Sequence, residues 1–271
     1  NGCTITDTID ILPPLSATAL ATAQPSCAAN DGVITINASG GAGAGNYEYD
    51  LLDASNNSMT GGTRQASNVF NGMAPGNYTA MVYDTSGSGC DAQVTVSLET
   101  ATPVVFTVNK EDISCNGGAD GSIEVVLDAS NDNPPYTFTL DDGTNPPTTQ
   151  NSPLFAGLGA GTYDITVTSD RGCSDIQSIT IDEPNPVDVS ATASSFACNA
   201  NNQASQAVIT AVGTDGTAPY TYSIDGTNFF TSNTFNITDN GSDRTVTVTI
   251  KDDNGCTDVT TVNISTLNTF T

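Results

Sequence analysis

The sequence contains no histidine and no tryptophan, and only five of its 271 residues are lysine or arginine. Without histidine the chain lacks the side chain whose ordinary pKa lies near neutral pH, and it has no Gly-x-Ser-x-Gly nucleophile motif. Carboxylates are abundant, so no single pair is distinguished as an acid and base. The absence of tryptophan also weakens a carbohydrate-binding interpretation. We therefore expect that the chain is not an enzyme.

Basic residues are too few for a nucleic-acid surface. Thirty acidic residues give a net charge of −25, whereas phosphate binding requires clustered lysine and arginine. An anionic membrane surface would repel this chain, and no apolar run approaches the roughly 18 residues that span a bilayer. No signal peptide is recognisable, which we interpret as a piece of a mature exported chain. The expected partners include neither nucleic acid nor a membrane interior.

A sustained helical period is also missing, and alternation takes its place. In the stretch from Leu154 to Pro186, the apolar residues Tyr163, Ile165 and Val167 alternate with polar ones. A period of two predicts a strand with one face on a core and the other in water. The turn residues Ser169-Asp-Arg-Gly172 then predict a tight hairpin, in which Gly172 is free to take a positive φ.

The same unit recurs along the chain. A Gly-Cys pair ends at Cys3, Cys90, Cys173 and Cys256, at intervals of 87, 83 and 83 residues. A second cysteine series, Cys27, Cys115 and Cys198, has intervals of 88 and 83 residues. Six and eight residues after each Gly-Cys cysteine there is an apolar pair: Ile9/Ile11, Val96/Leu98, Ile179/Ile181 and Val262/Ile264. The chain is thus predicted to be a tandem array.

This period predicts three domains and a leading fragment. Residues 1–16 match the last strand of a preceding repeat, and the repeats cover about 17–102, 103–186 and 187–271. Each repeat offers about seven short strands, the number in a two-sheet immunoglobulin-like β-sandwich. Prolines at the junctions favour semi-rigid connections. We predict an all-β protein of tandem immunoglobulin-like repeats arranged as an extended rod.

Repeat two carries the residues of a known family most completely. They are Cys115-Asn-Gly-Gly-Ala-Asp-Gly-Ser-Ile, Pro135-Tyr-Thr-Phe, Gly157-Leu-Gly-Ala-Gly-Thr-Tyr163, Asp170-Arg-Gly-Cys173 and Ile181-Asp-Glu-Pro184. In these motifs the chain resembles the SprB repeat of gliding and surface adhesins in Bacteroidota; repeat one keeps part of the pattern and repeat three diverges most. The resemblance implies immunoglobulin-like modules in large exported surface proteins, associated with gliding motility and type IX secretion. It implies no catalytic residues.

The cysteines are the strongest candidate site. Seven evenly spaced cysteines without histidine or a Cys-x-x-Cys pair favour disulfides and an oxidising exterior over zinc. In an immunoglobulin-like sandwich, the loop after the first strand and the last hairpin lie at opposite ends, too far apart for a disulfide. In a head-to-tail array the loop of one repeat meets the hairpin of the next. The preferred pairs are therefore Cys27–Cys173 and Cys115–Cys256, with Cys3, Cys90 and Cys198 pairing to other repeats. The alternative left open is pairing within repeats: Cys27–Cys90, Cys115–Cys173 and Cys198–Cys256.

Weaker candidates lie in the loops. Clustered acidic residues could supply the oxygens that calcium requires, although none has EF-hand spacing and aspartate is also an ordinary turn residue. These calcium candidates are Asp128, Asp132, Asp141, Asp142, Asp252 and Asp253; no other cofactor is expected. Thr8, in Asp7-Thr8-Ile9, resembles a short O-glycosylation signal. Tyr78 and Tyr163 resemble the tyrosine corners of immunoglobulin-like sandwiches.

Together these features predict a structural or adhesive segment of a large secreted cell-surface protein, either an adhesin stalk or an extracellular filament. Its partners would be neighbouring repeats or copies of the same protein, with surface glycans or other cells as further partners. Two alternatives remain. One is a subunit of a non-covalent filament in which residues 1–16 complete a neighbouring sandwich. The other is an accessory module array of an exported hydrolase.

Overall fold

The computed structural model describes residues 11–87, 89–198 and 205–267. Every regular element in these ranges is a β-strand, and all strand pairs are antiparallel. Repeat one contains β1 (Ser16–Ala23), β2 (Gly32–Ser39), β3 (Tyr47–Leu52), β4 (Val69–Met73), β5 (Gly76–Asp84) and β6 (Asp91–Leu98). The all-β prediction is confirmed.

Repeats two and three follow the same order. Repeat two contains β7 (Phe106–Glu111), β8 (Gly121–Leu127), β9 (Tyr136–Asp141), β10 (Thr148–Gln150), β11 (Leu154–Leu158), β12 (Gly161–Ser169) and β13 (Ser174–Ile181). Repeat three contains β14 (Asp188–Ala193), β15 (Ala207–Thr214), β16 (Thr221–Ser223), β17 (Thr234–Ile237), β18 (Arg244–Lys251) and β19 (Thr257–Ile264). The expected count of about seven strands therefore holds for repeat two, whereas the described residues of repeats one and three contain six each.

Repeats one and three lack a counterpart of β10, and only isolated bridges occupy its place. In repeat two, β10 pairs with β9 over three residues. At the corresponding place repeat one has single bridges from Tyr49 to Gln65 and from Leu52 to Ser58, and repeat three has one from Tyr222 to Phe230. Three pairs already make β10 a short edge strand, so a small loss of pairing leaves only a bridge in the other repeats.

Each repeat is a sandwich of two sheets. In repeat two the strand orders are β11-β8-β7 and β10-β9-β12-β13. Repeat one has β1-β2-β4 and β3-β5-β6, and repeat three has β14-β15-β17 and β16-β18-β19. Because the third strand pairs with the one before last and not with the second strand, the chain crosses between the sheets in the immunoglobulin-like manner.

Three separate cores fill the sandwiches. The largest lies in repeat two and includes Ile123, Ile165 and Val167, which are fully buried. The second apolar residue of each closing strand is also buried: Leu98, Ile181 and Ile264. The buried residues alternate with exposed ones along the strands, as the period of two predicts. Each repeat thus has its own apolar interior.

Candidate functional site

The cysteines lie at the two ends of each sandwich. We call the segment after the first strand the bottom loop (residues 24–31 in repeat one, 112–120 in repeat two). We call the turn between the last two strands the top hairpin (residues 169–173 in repeat two, 252–256 in repeat three). Ile113 of the bottom loop donates its N–H to Asp182 O at the end of β13, 3.2 Å away, whereas Cys173 precedes the start of β13. The eight residues of β13 place these two ends ~26 Å apart.

An aspartate closes each bottom loop. The backbone N–H of Ser26 donates to Asp31 Oδ1 at 2.6 Å, and that of Ser114 donates to Asp120 Oδ1 at 3.0 Å. These bonds lower the pKa of both carboxyls; for Asp120 the Ser114 hydroxyl is the largest contributor. Because the bonded serine directly precedes the cysteine, the aspartate holds the sulfur-bearing backbone in place.

The glycine after that aspartate is required by packing. A Cβ on Gly32 would lie 2.7 Å from Leu98 Cδ1 and 2.8 Å from Met73 O. A Cβ on Gly121 would lie 3.0 Å from both Ile181 Cγ2 and Leu158 O. The Asp-Gly pair therefore fixes the loop on one side and lets the second strand approach the closing strand on the other.

The top hairpins have one geometry. In repeat two Gly172 has a φ of 73°, and the N–H of Ser169 donates to Cys173 O at 2.8 Å. In repeat three Gly255 has a φ of 88°, and the N–H of Asp252 donates to Cys256 O at 3.0 Å. The turn predicted from Ser169-Asp-Arg-Gly172 is therefore present, and it presents the cysteine at the end of the sandwich.

Two disulfides join consecutive repeats. Cys27 in the bottom loop of repeat one is bonded to Cys173 in the top hairpin of repeat two, with a Cα–Cα distance of 5.0 Å. Cys115 in the bottom loop of repeat two is bonded to Cys256 of repeat three, at 5.6 Å. These are the pairs that the head-to-tail argument favours.

The within-repeat alternative, Cys27–Cys90, Cys115–Cys173 and Cys198–Cys256, is wrong for this structure. Cys27, Cys115, Cys173 and Cys256 are each committed to a cysteine of another repeat. The physical reason is the length of the closing strand, which separates the two cysteines of one repeat by far more than the ~7 Å that a disulfide spans.

A guanidinium reinforces the first of these junctions, between repeats one and two (junction one). Arg171 Nε donates to Pro25 O at 2.9 Å, and Nη2 donates to Pro25 O and Glu99 O at 2.6 and 2.5 Å. The N–H of Cys27 donates back to Arg171 O at 3.0 Å. A planar guanidinium with several donors suits a cluster of carbonyls because one side chain satisfies several acceptors.

Inside repeat two the same guanidinium reaches the connection from repeat one. Nη1 donates to Asn133 Oδ1 at 3.3 Å, and the Asn133 amide donates to Thr102 Oγ1 at 2.6 Å. Thr102 also hydrogen-bonds Asp132. The connecting segment, the hairpin and the bottom loop of repeat one are therefore linked through Asn133 and Arg171.

The junction between repeats two and three (junction two) uses shorter side chains. Asn254, which occupies the position of Arg171, donates its amide to Ser114 O at 3.1 Å and to Thr217 Oγ1 at 3.1 Å. Asn185 in the connection donates to Asp215 Oδ1 at 3.2 Å. An amide has fewer donors than a guanidinium and no charge, so Asn254 contributes less to junction two than Arg171 contributes to junction one.

Of the remaining cysteines and the glycosylation candidate Thr8, only Cys90 and Cys198 lie in the described ranges. Cys90 and Cys198 are exposed. Cys3 and the glycosylation candidate Thr8 lie outside the described residues. The pairing of Cys3, Cys90 and Cys198 with other repeats stays a prediction.

The calcium candidates are engaged in turns. Asp128 Oδ1 accepts the Ser130 N–H at 2.8 Å, and Asp141 Oδ1 accepts the Gly143 N–H at 2.8 Å. Asp132 accepts hydrogen bonds from Thr102 and the Asn133 amide. Asp253 instead donates its backbone N–H to Thr217 O. Across the described ranges, no three histidine, cysteine or acidic side chains come together as a metal-binding group.

Asp252 has a structural position of its own among these candidates. It is buried, and its two oxygens accept the N–H groups of Thr217 and Cys256 at 2.9 and 2.8 Å. It therefore joins the loop between β15 and β16 to the top hairpin that carries the disulfide. In repeat one Asp84 has the equivalent contact, accepting the Ala42 N–H at 2.8 Å.

We predict that calcium does not stabilise this chain, because five of the six candidate carboxylates already accept hydrogen bonds from N–H or hydroxyl donors. Thermal unfolding should be unchanged when EDTA replaces millimolar calcium. A rise of several degrees with calcium would show that the carboxylates rearrange to bind it.

One recurring motif was missed in the sequence. Asp142-Gly-Thr-Asn145 recurs 83 residues later as Asp225-Gly-Thr-Asn228, in the loop after the third strand. In both, the aspartate accepts hydrogen bonds from the backbone and side chain of the threonine and of the asparagine. The repeat period was the signal that could have found this turn.

The tyrosine corners have the predicted contacts. Tyr78 donates its hydroxyl to Ala74 O at 2.8 Å, and Tyr163 donates to Gly159 O at 3.0 Å. Repeat three has the buried Val246 at this position of its strand β18 and no such bond. Each hydroxyl therefore ties the start of its strand to the turn before it.

The family comparison agrees with the motifs. Residues 19–56 and 107–145 match the family model for the SprB repeat, so the resemblance is confirmed for those segments of repeats one and two. No curated protein matched the chain. Within the described residues, no helix is long and apolar enough to cross a membrane.

Several solved structures match the chain at low identity. An amphioxus IgVJ-C2 molecule is 14% identical, with 61% of this chain and 96% of that chain covered and a TM-score of 0.27. A tetra-tandem repeat from the extending region of a large adhesion protein is 14% identical (93% and 74% covered, TM-score 0.24). The chicken CNTN1 FN1–FN3 domains are 10% identical (94% and 100% covered, TM-score 0.26). The immunoglobulin-like fold of each repeat is established by its own strand order.

Proposed function

We propose that this chain is a structural and adhesive segment of a large secreted protein on a cell surface, serving as an adhesin stalk or an extracellular filament. The observation that carries the proposal is the pair of disulfides that join each repeat to the next. A module that only needed a stable fold would place its disulfide within its own sandwich. Bonds between modules instead stabilise the arrangement of the array.

The chemical environment implied by these bonds supports the location. Disulfides persist in oxidising surroundings such as the outside of the cell. A net charge of −25 keeps neighbouring copies apart and favours an extended, soluble array. The matches to the SprB repeat support the same assignment, and gliding motility and type IX secretion remain part of the proposal. A structural role requires no catalytic centre, cofactor or nucleic-acid partner.

The proposal is tested on the native protein in its own cells. Intact cells treated with an impermeant protease should lose the antibody signal for these repeats, while an internal control protein keeps its signal. Loss of signal only after lysis would contradict the surface location.

Denaturing electrophoresis of the same cells separates the stalk from a filament subunit. A band much larger than the 27.7 kDa of this chain supports the tandem stalk. A band near that mass would contradict it and favour the subunit. The strand-complementation segment, residues 1–16, falls mainly outside the described residues. A large chain that also contains a hydrolase domain would favour the accessory-module alternative.

A further inference from the structure

The two disulfides overlap along the chain. One bridges Cys27 and Cys173, and the other bridges Cys115 and Cys256, so that residues 115–173 lie inside both loops. Covalent bonds do not lengthen appreciably under load, and tension between the ends therefore follows the shortest covalent route. That route is different from the order of the sequence.

We propose that the disulfides carry end-to-end tension past the linkers and through the centre of repeat two. Tension passes along residues 1–27, crosses to Cys173, runs backwards to Cys115, and crosses to Cys256. The connections between repeats, residues 99–105 and 182–187, lie outside this route. Residues 28–114 and 174–255 are likewise removed from the tension, so in repeats one and three the tension acts only on the terminal strands β1 and β19, which are edge strands.

The strands that receive the load also change. Tension along the backbone would enter repeat two on β7 and leave it on β13, and each of these edge strands pairs with a single neighbour. Through the disulfides it enters beside the end of β12 and leaves before β8. β12 lies between β9 and β13, and β8 lies between β7 and β11. Within repeat two the load is therefore applied to strands that are hydrogen-bonded on both sides.

The attachment points are held by further contacts. Asp120 fixes the backbone before Cys115, and the hydrogen bond from Ser169 N to Cys173 O closes the hairpin that contains Cys173. Both bridges are also reachable from solvent, since Cys27 is exposed and Cys115 and Cys256 are partly exposed. A soluble reductant can therefore switch the route of tension in the folded chain.

Single-molecule force spectroscopy on the intact chain, held by peptide tags at its two ends, tests this route. With both disulfides present the load-bearing path contains about 100 residues, and the final extension should be ~330–360 Å. After reduction with a phosphine all 271 residues extend, to ~900–980 Å. The force at which repeat two unfolds should fall on reduction, because its edge strands β7 and β13 then carry the load.

Two paired variants locate the bridges. Replacing Cys27 and Cys173 by serine leaves a path of about 130 residues, expected to extend to ~430–470 Å, and replacing Cys115 and Cys256 gives nearly the same length. The proposal would be overturned if the oxidised chain extended as far as the chain whose disulfides have been reduced. Final extensions of the two variants no longer than that of the intact chain would overturn it as well. An unfolding force of repeat two that reduction leaves unchanged would overturn the transfer to central strands. The route deepens the proposed mechanical role, yet the measurement needs only the purified chain. An intracellular location would refute the function and leave the route standing.

Discussion

At the scale of single residues, Arg171 joins two repeats through one side chain. Its guanidinium donates to carbonyls of Pro25, Glu99 and Thr100 in repeat one and to Asn133 in repeat two. Arginine is scarce in this chain, and here its several N–H groups donate hydrogen bonds to both repeats at once. Asn254 at the equivalent position has one amide for the same task.

Replacing Arg171 by asparagine should loosen junction one without unfolding either core. The lost charge-assisted bonds are worth about 1–2 kcal/mol after allowance for partial exposure. Exchange of the Cys27 amide hydrogen, which is bonded to Arg171 O, should accelerate roughly tenfold. The matched control is Arg244→Asn, which removes the same charge within repeat three. If the Cys27 amide hydrogen exchanged equally faster in both variants, the effect would be due to net charge and not to the contacts of Arg171.

Gly121 is the residue whose replacement should affect a core most directly. An alanine there forces Ile181 or the Leu158 carbonyl to move, and such overpacking costs about 1–3 kcal/mol. Gly159→Ala is the control, since the nearest atom to its Cβ is Gly118 O at 3.8 Å. The midpoint of chemical denaturation should be lower for Gly121→Ala than for Gly159→Ala. Equal midpoints would show that β8 and β13 can move apart without loss of stability.

At the scale of elements, the turn after the third strand is specified by one carboxylate. In repeat three Asp225 accepts the Asn228 amide together with the N–H groups of Thr227 and Asn228. These bonds, the Asn228 side chain first, lower the pKa of Asp225 well below its ordinary value. Asp142 has its pKa lowered in the same way, with the Asn145 backbone as the largest cause.

Acid should weaken these turns. Because the folded pKa lies below the unfolded value of about 3.9, the stabilisation is complete above that value and is lost as the pH falls further. Asp225→Asn should therefore melt at a lower temperature than the native chain at pH 7, and the difference should narrow below pH 4. Asp188→Asn, an exposed position in the same repeat, is the control. A difference independent of pH would show that the turn does not depend on ionised Asp225.

At the scale of the whole molecule, the disulfides connect the repeats, whereas the apolar cores fold each repeat. Each repeat has its own core, and the disulfides act between repeats rather than within them. The arrangement as an extended rod stays a prediction. It follows from the head-to-tail bonds, because a bottom loop and a top hairpin meet only when consecutive sandwiches are stacked end to end.

Small-angle scattering before and after reduction measures that arrangement. We expect an elongated particle whose maximum dimension becomes more variable on reduction. Circular dichroism should remain that of folded β-sheet, because each of these two disulfides joins two repeats and neither closes a loop within one repeat. Cooperative loss of the β signal on reduction would show that the repeats depend on one another to fold. Scattering from a compact particle would contradict the rod.

Much of the fold could be predicted from the sequence because strands with one buried face need only a period of two. Tyr163, Ile165 and Val167 alternate with polar residues and are buried as expected. The hairpin at Gly172 was predicted from turn chemistry alone, and the tandem architecture from the cysteine intervals. The count of seven strands failed in repeats one and three, because a short edge strand depends on a few hydrogen bonds that leave little trace in composition.

The order of residues by itself determined the strands, the turns and the repeat, because each of these depends on neighbours within a few positions. The sequence left open whether the cysteines pair between repeats or within them, since spacing does not show which ends of the sandwiches meet. Only the tertiary structure placed Cys27 beside Cys173, brought Arg171 onto the carbonyls of another repeat, and laid the two disulfide loops across each other. Those contacts join residues up to 146 positions apart, and only the packing of whole repeats brings them together.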